Sequence, residues 1–375
     1  MTILDRYVLR KFLTPFLYCF LGFIGIWFIF DLSDNLPDFI QGKAGFAVLW
    51  EYYASQIPAI IIICLPIGSL LALLYSLTAM SRSNEIISML GAGLSVTRIL
   101  MPLIIVGLLL TGVTWHFNSE GGPHAAASKK QMMRDIKRGV KQERAIRGHL
   151  FRNRQDLRTW FIRAIRLEKN MLQDVQIIDQ NAAGDILRQW YAREAFFNPN
   201  TREWTLNQVK YVEMDPEGDI TKSELSPELV ISGWSETPWR ISSSVMNPDY
   251  LSISELKDYL KFNSDFPEIR LAPYRTHLEY RYALPWVCLI VIFLAAPMGI
   301  VYSRRGILGG VAVAIGLFFS LVFLSSLFIA LGKGGRISPG MAAWGPMIFF
   351  FLIGLGLLWL RSTNRDLPKL KIPGF

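Results

Sequence analysis

Apolar positions in this chain are gathered into blocks rather than spread evenly. No Asp, Glu, Lys or Arg occurs at 12–30, 52–81, 99–119, 282–303, 306–332 or 337–360, runs of 19, 30, 21, 22, 27 and 24 residues. A helix needs about 20 apolar residues to cross the hydrocarbon core of a bilayer, so each block predicts a membrane-spanning helix. Between the third and fourth blocks the pattern changes. Segments 157–169, 174–180, 186–197 and 203–214 mix β-branched and aromatic residues with charges, and the clusters NAAGD, NPNTR and DPEGD punctuate them. Short strands with turns at this spacing predict a sandwich or jelly roll. Residues 123–145 carry helix formers instead and predict a helix rising out of the third span. Residues 252–262 predict a short amphipathic helix with Ser252 or Ser254 as its N-cap. The expected fold class is an α-helical membrane protein with six transmembrane helices, arranged 3+3 around an inserted all-β jelly-roll domain. The expected domains are 1–119, 120–275 with the β fold and its flanking helices, and 276–375.

Composition sharpens this picture. The chain is 51% hydrophobic and 18% charged, below the typical quarter for soluble domains. With the segregation above, this excludes a soluble enzyme and a disordered chain. The net charge of +9 sorts by position. With the N-terminus inside, segments 1–11, 82–98, 304–305 and 361–375 hold eleven Lys and Arg. The short outside loops 31–51 and 333–336 hold only Lys43, Lys333 and Arg336. That asymmetry places both termini inside and 120–281 outside, and no nucleic-acid partner is implied. From Lys129 to Lys169 there are fourteen basic and four acidic residues; long domains translocate largely regardless of charge, so the topology stands. A basic strip beside a membrane suits an anionic lipid headgroup, with Lys129, Lys130, Arg134, Lys137 and Arg281 as candidate contacts. Against this, 120–275 holds 24 basic and 22 acidic residues, as a solvated, internally balanced face would.

The first block follows Arg10 and Lys11 directly, exceeds a signal h-region and lacks a small-x-small site, so it reads as a retained anchor. Cys19, Cys64 and Cys288 each lie inside a charge-free block, which argues against a disulfide framework.

Candidate chemistry is sparse. The sequence has no G-x-x-x-x-G-K-[ST], no H-E-x-x-H and no G-x-S-x-G, and no acidic residue within the core of a span. GKGGR at 332–336 reads as a turn between spans five and six. An enzyme, a metal site, a resident cofactor and a self-powered carrier are therefore not expected. The informative segment lies between spans two and three. Ser83 can cap a helix, Glu85 would sit near N2 against the positive helix end, and Ile86, Met89 and Leu90 form one apolar stripe. Gly91 or Gly93 can supply a left-handed terminus. Two readings follow: a surface helix whose Glu85 serves its own N-terminus, or a docking helix whose Glu85 faces a cation on a cytoplasmic partner. The missing ATP site favours a motor in a partner chain.

The chain resembles the lipopolysaccharide export permeases LptF and LptG (the YjgP/YjgQ family). The resemblance rests on Asp5-Arg-Tyr-Val-Leu-Arg-Lys-Phe12, on Ser83-Asn-Glu-Ile-Ile through Ala92-Gly-Leu-Ser95, and on Leu251-Ser-Ile-Ser-Glu-Leu. It continues in Leu278-Glu-Tyr-Arg-Tyr-Ala-Leu-Pro285, Ala296-Pro-Met-Gly299 and Trp344-Gly-Pro346. It implies an LptF–LptG heterodimer above an LptB ATPase dimer, with ATP and Mg held by LptB, in the inner membrane of a Gram-negative bacterium. Lipopolysaccharide would leave the outer leaflet, enter a periplasmic jelly roll and pass to LptC and the periplasmic bridge. It also implies a coupling helix over 83–92, formed by Ser83, Asn84, Glu85, Ile86, Ile87, Met89, Leu90 and Gly91, with Glu85 in the place of the family's coupling glutamate.

One departure stands out. Where some LptG proteins carry phosphate-binding lysines at the outer end of span one, this chain has Asp31, Asp34 and Asp38 before Lys43. The alternative function class is a membrane-anchored scaffold or sensor whose β domain binds a periplasmic partner. Such anchors use four spans with a long insert after the first, whereas six spans with a central insert are expected here. Residues 249–270 look more like LptG, whereas Gly332-Lys-Gly-Gly and the aromatic-Arg approach to span four look more like LptF.

Overall fold

The computed structural model describes residues 3–138, 145–166, 169–215, 217–243, 246–264, 266–300 and 307–363. Arg304, Arg305, the tail 364–375, and residues 139–144 and 167–168 of the basic strip lie outside the described residues. The helices are α1 (Ile3–Gln41), α2 (Phe46–Arg82), α3 (Glu85–Gly91), α4 (Val96–His116), α5 (Gly122–Arg138), α6 (Pro238–Ser243), α7 (Ile253–Phe262), α8 (Glu268–Ala283), α9 (Val287–Gly299), α10 (Ile307–Lys333) and α11 (Pro339–Ser362). Among the described residues, six helical runs are long and apolar enough to cross a membrane, three before the strands in the chain and three after them.

These helices overrun the charge-free blocks. Residues 31–51, expected as a loop, are helical except for the short turn between Gln41 and Phe46. Backbone groups leaving the apolar layer still gain from intrahelical bonds, so charged residues cover the helix ends without terminating them. The helix predicted over 123–145 is present, joined to α4 by one π turn at Phe117–Gly121. It is described as far as Arg138, and Ala145 already belongs to a strand.

Helix packing relies on small residues. A Cβ on Gly299 would lie 2.7 Å from Leu77 Cβ, and one on Gly354 2.8 Å from Phe293 Cβ. Close backbone approach replaces the hydrophobic driving force that lipid does not supply. The resulting core joins Leu73, Leu77, Ile290, Val291, Leu294 and Phe350.

The chain divides into two compact units, one of apolar helices with residues 248–257, the other of the sheet with residues 258–267. The second contains β1 (Ala145–Asn153), β2 (Arg158–Arg166), β3 (Met171–Gln180), β4 (Ile186–Asn198), β5 (Glu203–Met214) and β6 (Ile220–Ile231). They form one antiparallel sheet in the order β1-β2-β3-β4-β5-β6. Every neighbour is consecutive in sequence, so the strand order is a meander. Strands β2 to β5 fall on the four predicted segments. The sequence pattern showed neither β1, which carries Gly148 among basic residues, nor β6, which is exposed along nearly its whole length and interrupted by Pro227.

A crease crosses the sheet. Buried residues alternate up to one level and then skip: Trp160, Ile162, then Ile165; Leu172, then Val175 and Ile177; Trp190, Ala192, then Ala195; Trp204, Leu206, then Val209. At that level Gly148, Arg163, Asp174, Arg193, Gln208 and Pro227 lie opposite one another, and none is paired while the register on both sides is unchanged. Gly148, Asp174 and Gln208 have φ of 66°, 46° and 52°. One doubled outward residue per strand, aligned across the sheet, bends it without slipping the pairing. Arg163 and Asp174 form a 3.0 Å ion pair along this line.

The buried face carries Trp160, Trp190 and Trp204 with Trp234, whose rings sit 5.1–5.3 Å apart in edge and tilted contacts. The fully buried Glu236 carboxylate accepts from Arg158 Nη1 at 2.9 Å and from Asn153 Nδ2 at 2.9 Å, and the Arg158 guanidinium stacks on Trp234.

Candidate functional site

The connection between α2 and α4 is built tightly. Ser83, expected as the N-cap of α3, instead closes α2: its N–H donates to the Ala79 carbonyl and its Oγ lies 3.0 Å from the same oxygen. Asn84 then takes the left-handed conformation, φ 59°, and Glu85 is the first helical residue rather than the second. A left-handed residue reverses the chain within one peptide, which places α3 immediately after α2. Gly93, φ 84°, supplies the left-handed terminus, with Gly93 N–H on Leu90 and Leu94 N–H on Met89; Gly91 is the last helical residue.

Seven residues cannot hold a helix in water by themselves. Ile86 anchors this one, 1% exposed in a core that includes Val8, Phe12, Leu77 and Met80, with Met89 and Leu90 packed beside it. Ile87, Ser88 and Gly91 are exposed. The Glu85 carboxylate accepts from Tyr7 Oη at 2.9 Å and from Ser83 Oγ at 2.9 Å, with Lys11 Nζ at 3.7 Å. Beyond α3, Ser95 caps α4 by accepting from the Arg98 N–H, and the Arg98 guanidinium pairs with the buried Asp5 at 3.1 Å. These partners lie 78 and 93 residues apart in the chain, and no local pattern in the sequence announces them.

At the C-terminal end of α1 the structure pairs the acidic residues noted in the sequence with the basic helix. Lys129 of α5 binds the buried Asp31, which also accepts from Tyr52 Oη at 3.1 Å, and Lys137 lies 3.0 Å from Asp38. Lys129 also stands over the Trp27 ring. Lys130 faces the Tyr250 ring, and the exposed Arg134 donates Nε to the Lys130 carbonyl. Two of the five candidate headgroup cations are thus engaged by carboxylates of this chain.

Arg281, the fifth, is buried at 9% exposure. It donates to Asn118 Oδ1 at 3.2 Å and to the Asp249 carbonyl at 2.6 Å. The Asp249 carboxylate meets His277 Nε2 at 2.7 Å and Lys333 Nζ at 3.1 Å. The His277 hydrogen bond, reinforced by Lys333, holds the Asp249 carboxyl well below the usual carboxylate range. This cluster joins residues 248–250 to α8, α10 and the turn after α4, and sequence reasoning missed it. Nearby, α7 begins with a reciprocal capping box: Glu255 N–H on Ser252 Oγ and Ser252 N–H on the Glu255 carboxylate. Ser252 is therefore the N-cap.

Six apolar helices, an antiparallel β unit and a short helix wedged between two spans define a multi-pass membrane protein with an inserted β domain. A family model for the lipopolysaccharide export system permease LptF/LptG matches residues 6–360. The lipopolysaccharide export system permease protein LptG of Escherichia coli K12 is 25% identical over 381 residues, covering 96% of this chain and 99% of the relative. The protein of the same name from Haemophilus influenzae is 24% identical, covering 97% and 99%. The chain belongs to the LptF/LptG family of lipopolysaccharide export permeases, and is an inner-membrane, multi-pass transport protein.

Proposed function

We propose that this chain is one half of an ATP-driven lipopolysaccharide extractor, paired with the paralogous LptF or LptG. An LptB-type ATPase dimer below it supplies ATP and Mg, and the chain itself carries no ATP site. Both termini are cytoplasmic and the β domain is periplasmic. Lipopolysaccharide leaves the outer leaflet of the inner membrane and enters the creased β domain, which serves as a jelly-roll-like receptacle and hands the lipid on to LptC and the periplasmic bridge. Among the five candidate cations, headgroup contact falls to Lys130 and Arg134, because Lys129 and Lys137 already meet Asp31 and Asp38 and Arg281 is buried.

The observation that supports coupling is the division of labour on α3. Ile86 faces the chain's own core, while Glu85, Ile87 and Gly91 stand on a connection held by both flanking spans. Such a helix can receive a push and pass it to α2 and α4. Glu85→Arg tests this: co-purification of the ATPase is expected to fall at least tenfold, and wild-type recovery of the ATPase overturns the reading. A membrane-anchored scaffold or sensor would tolerate the change.

A further inference from the structure

The first helix is unusual among the six. Only 6% of its most apolar stretch is buried, against 56% for α2 and 78% for the run Glu268–Gly299. Its two ends, by contrast, are pinned by charge. At the N-terminal end Asp5 holds Arg98, and Tyr7 and Lys11 hold Glu85, so about two helical turns grip the first residue of α3 and the first turn of α4. At the C-terminal end Asp31 is buried against Tyr52 and Lys129, and Asp38 holds Lys137. Residues 7 and 38 of one continuous helix are separated by about 45 Å. A continuous helix fastened by charge at both ends can carry a displacement from one to the other, because its internal hydrogen bonds are stiffer than its lateral contacts.

We propose that α1 is a strut linking the coupling helix to α5, with Tyr7, Lys11 and Asp5 as positioning residues at one end and Asp31 and Asp38 at the other. Displacement of α3 is then felt at Lys129 and Lys137 on the basic helix α5. Tyr7 and Lys11 also fix the Glu85 carboxylate before any partner arrives. This rests on the docking role proposed for α3.

The test is a double-mutant cycle across the helix in the reconstituted complex of both permeases and the ATPase, reading lipopolysaccharide released per ATP hydrolysed. Tyr7→Phe removes one hydroxyl at one end, and Asp38→Asn removes one charge at the other. Each is expected to lower release per ATP two- to fivefold, with thermal stability of the complex retained. At this separation two sites without a shared element act independently. The strut requires the double variant to be no worse than about the poorer single variant. Effects that multiply, or no loss from Asp38→Asn, overturn it. The pair Asp5→Arg with Arg98→Asp gives a second reading: each single reversal is expected to uncouple and the double to restore release to within twofold, and failure to restore in a folded complex also counts against the strut. Failure of the docking role is separate, because it would show as a Glu85→Arg complex that still retains its ATPase.

Discussion

At the scale of single residues, burial decides which charges matter. Glu236 is fully buried and compensates Arg158, whose side chain is 11% exposed. Replacing one member of such a pair strands the other in a low dielectric, a loss of about 3–5 kcal/mol. Glu236→Ala is expected to lower the unfolding midpoint of the β unit, followed through the fluorescence of its clustered tryptophans. His149 carries a different prediction. Its Nε2 lies 2.8 Å from the Ile241 carbonyl, which can only accept, so the proton sits on Nε2. Burial lowers its pKa below the ordinary value near 6.5, and the bond to Ile241 only partly opposes that. The unfolded chain therefore binds the second proton more readily than the folded one. Stability is full above the unfolded pKa and falls as pH drops through it toward the folded value. Between about pH 7.5 and about pH 5.5 the unfolding midpoint should decline, and His149→Gln, which keeps a donor but cannot titrate, should flatten the slope.

At the scale of elements, α3 separates two jobs that its sequence merges. EIISMLG offers two adjacent isoleucines, and only the packing shows that Ile86 is 1% exposed and Ile87 42% exposed. Ile86→Ala removes core volume and is expected to cost about 2–4 kcal/mol of stability. Ile87→Ala should leave thermal unfolding unchanged while weakening ATPase co-purification, so equal effects on stability would contradict the assignment. The sheet teaches a related lesson. Each strand from β2 to β5 reads as an imperfect alternation, and the imperfection looks like noise in any one of them. Aligned by pairing, the skips fall at one level and become a bend. The left-handed conformations of Asp174 and Gln208 cost energy that a plain strand would not spend, which marks the crease as a constraint set by the whole sheet.

At the scale of the molecule, orientation sets the function. The proposed topology puts the α2–α4 connection in the cytoplasm and the strands outside, the arrangement that the Lys and Arg of the short connections favour. Arg82 and Arg152 are both exposed, so cysteine in either position is open to a membrane-impermeant maleimide, in a background where the half-buried Cys19 is replaced. Arg152→Cys is expected to label in intact spheroplasts, and Arg82→Cys only after permeabilisation. The reverse pattern would invert the proposed topology and move the ATPase to the other end of the spans.

The sequence by itself determined the six apolar helices, the four central strands with their turns, a helix capped at Ser252 or Ser254 and the short helix at Glu85. Each is a local matter of hydrophobic length, period or capping chemistry within a few residues. Tertiary structure alone decided which charges meet. Asp31 and Asp38 read as repulsive to a phosphate until α5 brought Lys129 and Lys137 to them, and Tyr7 and Lys11 gained meaning only opposite Glu85. Arg281 moved from candidate ligand contact to buried partner of Asn118 and of the Asp249 carbonyl. Ion pairs between residues 74 to 99 positions apart leave no trace in local pattern, because Coulomb attraction depends on distance in space and only the fold sets that distance.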